Sequence, residues 1–486
     1  MVTRLFSRLQ FDRPASQNIA RPGFYALLTR VGPAAASFVT NVLIGRLASP
    51  VVLGQTQAAI STASLASVAG PTSTGSAASK YIATSRGGGS PQHAASVAAF
   101  IGRVALVAAV ALTVIVAAVL VLTGRDAMTV AVTSLMVLGV SARAFIEGAQ
   151  FGAQQIERAA AWSTVISVLS TLAVGTMLLL GTRSILVLLP LALLNLMYAV
   201  ASWPSMRGPL PAGAERRRIL HFAGLAMLGT VASTGLLQAS VLVAQNALGD
   251  HYTGQYSVAI TLAAPVSVLA GATSLVLFPI LAASHGAGDA ASVARTTDSV
   301  SRHLLTLMVP ALILLVFLGR PVIDLLWGGS FSEAYGLTAF IAAAMVITAV
   351  ASPAVSSLTT GDNRGMLISA GSALGGAAVG VASWFALLPV APESAIPIGF
   401  LTGTALTAAI PYAVAWRRQR QRWMLQAITT VGAVAVLVIA SRFLATADLP
   451  LWAEIALAVT VLGAWLLLRR RSVIDLLRAA RGIGVR

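Results

Sequence analysis

The chain has no cysteine among its 486 residues, a single lysine, Lys80, and only 10% charged residues. Without cysteine there is no disulfide and no thiolate metal site. Five histidines (His93, His221, His251, His285 and His303) lie far apart with no ligand spacing, so no metal and no other cofactor is expected. A charged fraction of 10%, beside 57% hydrophobic residues, is far below the roughly 25% charged of an ordinary globular domain. That balance excludes a soluble protein. A transmembrane β-barrel is excluded as well, because it needs ~10-residue segments with dyad alternation, and the apolar runs here are long, Ala-, Val- and Leu-rich and non-alternating.

What is present is a succession of apolar stretches of about 20 residues, the length of a bilayer-crossing helix. They predict an all-α polytopic membrane protein with about 14 spans, near 24–46, 52–75, 99–123, 127–150, 160–181, 184–203, 220–247, 255–282, 304–327, 335–358, 365–390, 394–416, 424–444 and 452–468. The second is the least apolar, full of Ser, Thr and Gly, as suits a helix packed inside a bundle or lining a polar cavity.

A net charge of +17 in a soluble chain would point to nucleic acid. Here its distribution decides otherwise. The two tails and every second loop, with the span ends beside them, hold 25 basic residues, and the remaining loops and span ends hold five: Arg46, Arg125, Arg183, Arg320 and Arg442. Basic residues collect on the cytoplasmic side of membrane proteins, so both termini are expected to be cytoplasmic and no nucleic-acid partner is expected. No cleavable signal peptide is evident, because basic and apolar residues alternate from Arg4 to Phe11 and Pro14 precedes any long apolar run. Residues 1–23 and the basic tail 469–486 are expected to lie amphipathically against anionic membrane lipids.

The sequence also repeats. Gly54-Gln55 followed by Ala59-Ile60-Ser61 recurs as Gly254-Gln255 followed by Ala259-Ile260-Thr261, an offset of 200. Flanking matches keep the same order: Val42-Leu43-Ile44 with Val241-Leu242-Val243, Thr72-Ser73 with Thr273-Ser274, Ser85-Arg86-Gly87 with Ser284-His285-Gly286, and Ala173-Val174-Gly175 with Ala378-Val379-Gly380. Six spans per copy is an even number, so the copies are parallel repeats related by an axis along the membrane normal. The expected organisation is an N-lobe over 24–203, a Pro- and Arg-rich cytoplasmic linker over 204–219, a C-lobe over 220–416 and two additional helices over 417–468. Two such lobes around a central cavity are the architecture of alternating-access transporters.

Three segments carry a family resemblance: Gly75-Ser76-Ala77-Ala78-Ser79-Lys80-Tyr81-Ile82-Ala83; Tyr256 with Pro279 and Leu281; and Gly361-Asp362-Asn363-Arg364. They resemble the polysaccharide-biosynthesis (O-antigen type) flippases of the multidrug/oligosaccharidyl-lipid/polysaccharide exporter (MOP) superfamily, over nearly the whole chain. The resemblance implies export of a polyprenyl-diphosphate-linked oligosaccharide across the plasma membrane, in company with the glycosyltransferases or polymerase of the same pathway. Fourteen spans resemble the lipid II branch. The first span, however, has only Arg30 and Arg46 and lacks the charge cluster of that branch.

Ionisable residues inside spans are functional candidates, because placing one in hydrocarbon costs ~2.5–3.5 kcal/mol. Arg30 either snorkels to the interface or holds the diphosphate, which suits a planar guanidinium. Arg143 is a second diphosphate candidate. It lies four residues before Glu147, one helical turn away on the same face, so the two form either a neutralised structural pair or a coupling site centred on Glu147. Asn41, Gln55, Gln238, Gln245, Asn246 and Gln255 are polar cavity candidates for sugar hydroxyls, or else interhelical links worth ~0.6 kcal/mol each. Lys80, taken to end its span, is expected at the headgroups. A cation-coupled multidrug exporter of the same superfamily is the alternative, distinguished by needing buried carboxylates rather than cations. A membrane glycosyltransferase or polymerase is disfavoured, because the outward loops are roughly ten residues or shorter and enzymatic chemistry needs positioned acid, base or metal groups. The protein is therefore not expected to be an enzyme.

Overall fold

The computed structural model describes residues 20–87, 90–205, 209–421, 423–447, 449–470 and 472–474. These contain helices and no strand. The tails expected over 1–23 and 469–486 fall largely outside the described residues. In order come α1 (Ala20–Leu47), α2 (Pro50–Val68), α3 (Pro71–Gly87), α4 (Pro91–Leu122), α5 (Ala127–Gly152), α6 (Ile156–Leu179) and, after a 3-10 turn (Ile185–Leu188), α7 (Leu189–Ser202). The chain continues through α8 (Gly213–Gly286), α9 (Ala290–Leu326), α10 (Ala334–Gly361), α11 (Asn363–Leu387), α12 (Pro392–Gln419), α13 (Met424–Thr446) and α14 (Leu451–Leu468).

Eleven helical stretches among the described residues are long and apolar enough to cross a membrane. The fourteen expected spans are reached by adding α1 and the α2–α3 pair, and by counting α8 as two helices. At Gly249 the backbone of α8 leaves helical geometry (φ 85°, ψ 177°). That region is open to glycine at little cost, so the run divides into arms at 213–248 and 250–286. The kink falls where the turn between α1 and α2 falls in the first copy, so the repeat read from the sequence reappears in the order of elements.

Two expectations are corrected. The span placed at 52–75 is two helices. Pro71 has no N–H to give and its ring clashes with the carbonyl four residues back. The helix therefore stops at Val68, turns through Ala69 and Gly70, and restarts at Pro71. The hydroxyls of Ser67 and Thr72, 3.0 Å apart, tie the two ends together. Lys80 therefore lies in the middle of α3 rather than at a span end. Within the 204–219 segment, α8 begins at Gly213 and carries Arg216, Arg217 and Arg218 in its first turns.

The chain divides into two compact units, Met1–Gly254 and Gln255–Arg486. In the first, Ala77, Ala78 and Ile82 of α3 meet Val97 and Ile101 of α4, Phe145 and Ile146 of α5, Trp162 of α6 and Tyr198 of α7 in one core. Ile219 and Ala223 of α8 join it, so the first arm of α8 packs with this unit. Between helices in lipid the attraction is mainly close packing, which favours small residues. The segment Gly75–Ala83 supplies them: a Cβ on Gly148 of α5 would overlap the backbone of Gly75, and a Cβ on Gly75 would come 2.6 Å from the carbonyl oxygen of Ala144. In the second unit α10 is the central helix, with 83% of its apolar stretch buried against 17% for α14. The Trp384 indole of α11 lies over Gly399 of α12 and donates to the Ile396 carbonyl at 3.0 Å.

Replacing Gly148 by Val should push α3 and α5 apart at a cost of about 1–3 kcal/mol or more, the range for overpacking. The readout is a lower melting temperature of the purified protein, with Gly224→Ala, which meets nothing within 4 Å, unchanged as control.

Candidate functional site

Two of the charges inside the first unit, Arg143 and Glu147, lie in one polar cluster. Arg143 and Glu147 face the same side of α5, and Arg143 Nε donates to Glu147 Oε1 at 2.7 Å. The rest of the guanidinium fork reaches two other helices: Nη1 donates to Asn195 Oδ1 of α7 at 3.3 Å, and Nη2 to Ser163 Oγ of α6 at 3.1 Å. The Arg143 side chain is only 17% exposed and that of Glu147 24%. A second polar link in the same bundle joins the Tyr198 hydroxyl, as donor, to Gln150 Oε1 at 2.7 Å, with the Tyr198 ring stacked on Trp162 at 5.2 Å. Arg143 thus ties three helices together, and each of its observed donors already has an acceptor.

A second polar centre lies on the repeat. Gln55 of α2 donates to Asp250 Oδ2 at 3.0 Å, and Gln245 donates to Oδ1 of the same carboxylate at 2.8 Å. The backbones meet directly beneath. A Cβ on Gly54 would overlap the carbonyl oxygen of Asp250, and a Cβ on Gly254 would overlap that of Pro50. Pro50 and Asp250, like Gly54 and Gly254, are equivalent positions at the offset of 200. The contact is therefore reciprocal, each helix showing the other the same two positions. Gln55 is committed to Asp250 here.

The other candidates do not converge on these centres. Gln255, buried in the second unit, has both ends of its amide occupied: Nε2 donates to the Ser330 carbonyl at 2.9 Å, and Oε1 accepts from the Ala334 N–H at 3.2 Å. It holds the turn before α10. Asn246 is exposed and donates to the Leu242 carbonyl of its own helix. Asn41 is buried on α1, and Gln238 is half-buried on the first arm of α8. Arg30 is exposed on α1. Lys80 is exposed too, with its ammonium 4.2 Å from the Phe222 ring centroid, an arrangement that favours a cation over an aromatic face. Asn195, Ser163, Tyr198, Gln150 and Asp250 were not singled out from the sequence. Their signal was there, in uncharged polar residues within apolar runs and, for Asp250, an acid one residue after a glycine at a turn between the first two spans of the second copy.

Outside the spans, Asp126 and Asp362 cap helices and both carboxyls sit below the usual carboxylate range. For Asp126 the cause is the Thr129 hydroxyl and N–H. For Asp362 it is first the Gly365 N–H and then the Arg418 guanidinium.

Removing one partner of a buried ion pair strands the other charge, at about 3–5 kcal/mol. Glu147→Gln should therefore lower the melting temperature clearly. The double variant Arg143→Met, Glu147→Leu should recover most of the loss, because replacing such a pair by apolar side chains is often neutral. Additive losses in the two single variants and the double variant would show that the charges act separately.

A family model described as "Polysaccharide biosynthesis protein" matches residues 92–336, just over half of the chain. No curated protein matches it. Among solved structures, the fold is similar to an inward-facing multidrug resistance MATE family transporter of the MOP superfamily, with TM-score 0.62 and 13% identity over 81% of this chain and 98% of that one. A MATE protein in complex with MaL6 aligns with TM-score 0.58 and 12% identity, over 83% and 96% of the two chains. A MOP superfamily transporter from Pyrococcus furiosus, described as having a binding pocket of reversed polarity, aligns with TM-score 0.51 and 12% identity, over 83% and 95%. At these identities the likeness is one of fold. The chain belongs to the polysaccharide biosynthesis protein family and is a multi-pass membrane protein with the fold of the MOP superfamily transporters.

Proposed function

We propose that the protein carries a polyprenyl-diphosphate-linked oligosaccharide from the inner to the outer leaflet of the plasma membrane, by alternating access of its two six-helix repeats. The observation that carries this reading is the match to the polysaccharide biosynthesis family in a chain with a transporter fold. Family and fold point to a transporter rather than an enzyme. The 25-to-five sorting of basic residues supports cytoplasmic termini, anionic lipid contact on that side and a substrate taken up where the pathway's glycosyltransferases or polymerase work.

The sign of the intramembrane charge favours an anionic cargo over the cationic drug of a multidrug exporter. Glu147 of α5, an acid that a cationic drug could use, is held by Arg143. Arg30 has no ion-pair partner among the described residues. It is the free guanidinium of the two, and we assign it the diphosphate. A diphosphate carries roughly two negative charges, and with the cell interior negative its outward movement is favoured by ~2.3 kcal/mol per charge per 100 mV. One bound arginine offsets part of that gain. Without it the diphosphate would enter a low-dielectric cavity unpaired, at larger cost.

Flipping of a polyprenyl-diphosphate oligosaccharide by purified protein in liposomes tests this. Arg30→Lys, which keeps the charge and loses the bidentate fork, should slow flipping, and Arg30→Ala should slow it further at equal protein content. Unchanged flipping by Arg30→Ala would show that Arg30 only snorkels.

A further inference from the structure

A cavity of about 550 Å³ lies wholly within the second unit, where the ends of α8, α9, α10, α11 and α12 meet. Its polar lining is His285, Ser357, Asp362, Arg418, Gln419 and Arg420. That size is in the range of small-molecule sites, ~300–1,000 Å³. Basic residues at the end of α12 are ordinary complements of a helix dipole. Three further observations go beyond that.

First, Arg420 is in the left-handed region (φ 50°, ψ 38°). It closes α12 as the left-handed residue of a Schellman turn: its own N–H points to the Arg417 carbonyl, and the next N–H, of Gln421, to that of Trp416. Glycine usually fills this position, because a side chain there is strained. The turn is also fixed from outside. Trp416 Nε1 donates to the Gln421 carbonyl at 2.6 Å, and the Gln421 amide donates to the Ala294 carbonyl of α9 at 2.8 Å. A strained arginine is thus held rigidly on the cavity wall, with no acidic partner among the described residues.

Second, Arg418 has only a loose contact to Asp362, 3.4 Å, with both groups largely exposed. The Asp362 carboxylate is engaged more closely at 2.6 Å by the Gly365 N–H of α11. Third, Gln419 donates through Nε2 to Ser357 Oγ at 3.0 Å, while its Oε1 is buried without a partner. The orientation of that amide follows from its neighbour, because the Ser357 hydroxyl already donates to the Ala354 carbonyl and can only accept from Gln419. His285 is fixed likewise: its Nε2 faces the Ser357 carbonyl at 3.0 Å and so carries a proton.

We propose that this cavity is a binding site for a phosphate ester bearing hydroxyl groups, the phosphate held by Arg418 and Arg420 and a hydroxyl donating to Gln419 Oε1. The same chemistry is offered by a glycerophospholipid headgroup and by a free phosphorylated polyol. None of its residues is assigned to the diphosphate, and binding here does not depend on Arg30.

The test uses the full chain in phosphatidylcholine nanodiscs, titrated calorimetrically with sn-glycerol 3-phosphate. Saturable binding is expected. Arg418→Gln and Arg420→Gly should each weaken it by about tenfold or more, the loss of a hydrogen bond to a charged group. Arg420→Gly should at the same time leave the melting temperature unchanged or higher, because glycine relieves the left-handed strain and keeps the turn. Asp362→Asn keeps the helix cap and removes the competing negative charge, so it should tighten binding. Nanodiscs containing phosphatidylglycerol separate the two sources: loss of the titration there assigns the site to a lipid headgroup, and its persistence assigns it to a soluble phosphorylated polyol. No saturable binding in phosphatidylcholine nanodiscs, or equal affinity in the wild type and both arginine variants, overturns the proposal.

Discussion

A bilayer core offers no hydrogen-bond partner to a peptide group, and each one left open there costs several kcal/mol. This chain meets that constraint with helices throughout its described spans, and it breaks them where proline or glycine makes a break cheap: at Pro71 between α2 and α3, and at Gly249 in α8. Because lipid tails are as apolar as leucine, helix pairing then depends on how closely backbones approach. Gly75 against Gly148, and Gly54 against Asp250 with Gly254 against Pro50, are places where backbones come too close for any side chain between them.

Charge inside such a bundle has little freedom. Arg143 is neutralised by Glu147 and bound to Asn195 and Ser163, so one guanidinium organises α5, α6 and α7. A ligand seeking Arg143 would have to displace three protein acceptors. Arg30, exposed and without an ion-pair partner among the described residues, faces no such competition. The difference between the two arginines lies in what surrounds each.

Much of this was legible in the sequence. Apolar runs of bilayer length mark nearly every helix, Arg143 and Glu147 four residues apart mark the pair, and the offset of 200 marks the repeat that reappears at the Gly54–Gly254 contact. Pro71 also announced its break, but an apolar-run reading averages over a single residue and joined α2 to α3. The uncharged polar residues were the illegible part. Periodicity places Gln55 and Gln255 at equivalent positions, yet one meets an aspartate and the other a turn backbone. Which acceptor lies opposite an amide is decided by tertiary packing, and no local pattern encodes it. The same holds for Arg420, whose left-handed backbone depends on a turn fixed by Trp416 and Gln421.

The central claim concerns the cargo, and its most direct measurement is the leaflet distribution of lipid-linked oligosaccharide in cells depleted of this protein. Inner- and outer-leaflet pools can be separated with a membrane-impermeant sugar-modifying reagent applied to intact and opened cells. Accumulation on the inner leaflet with loss of the outer pool, reversed on re-expression, is the expected result. An outer-leaflet pool unchanged by depletion would contradict it.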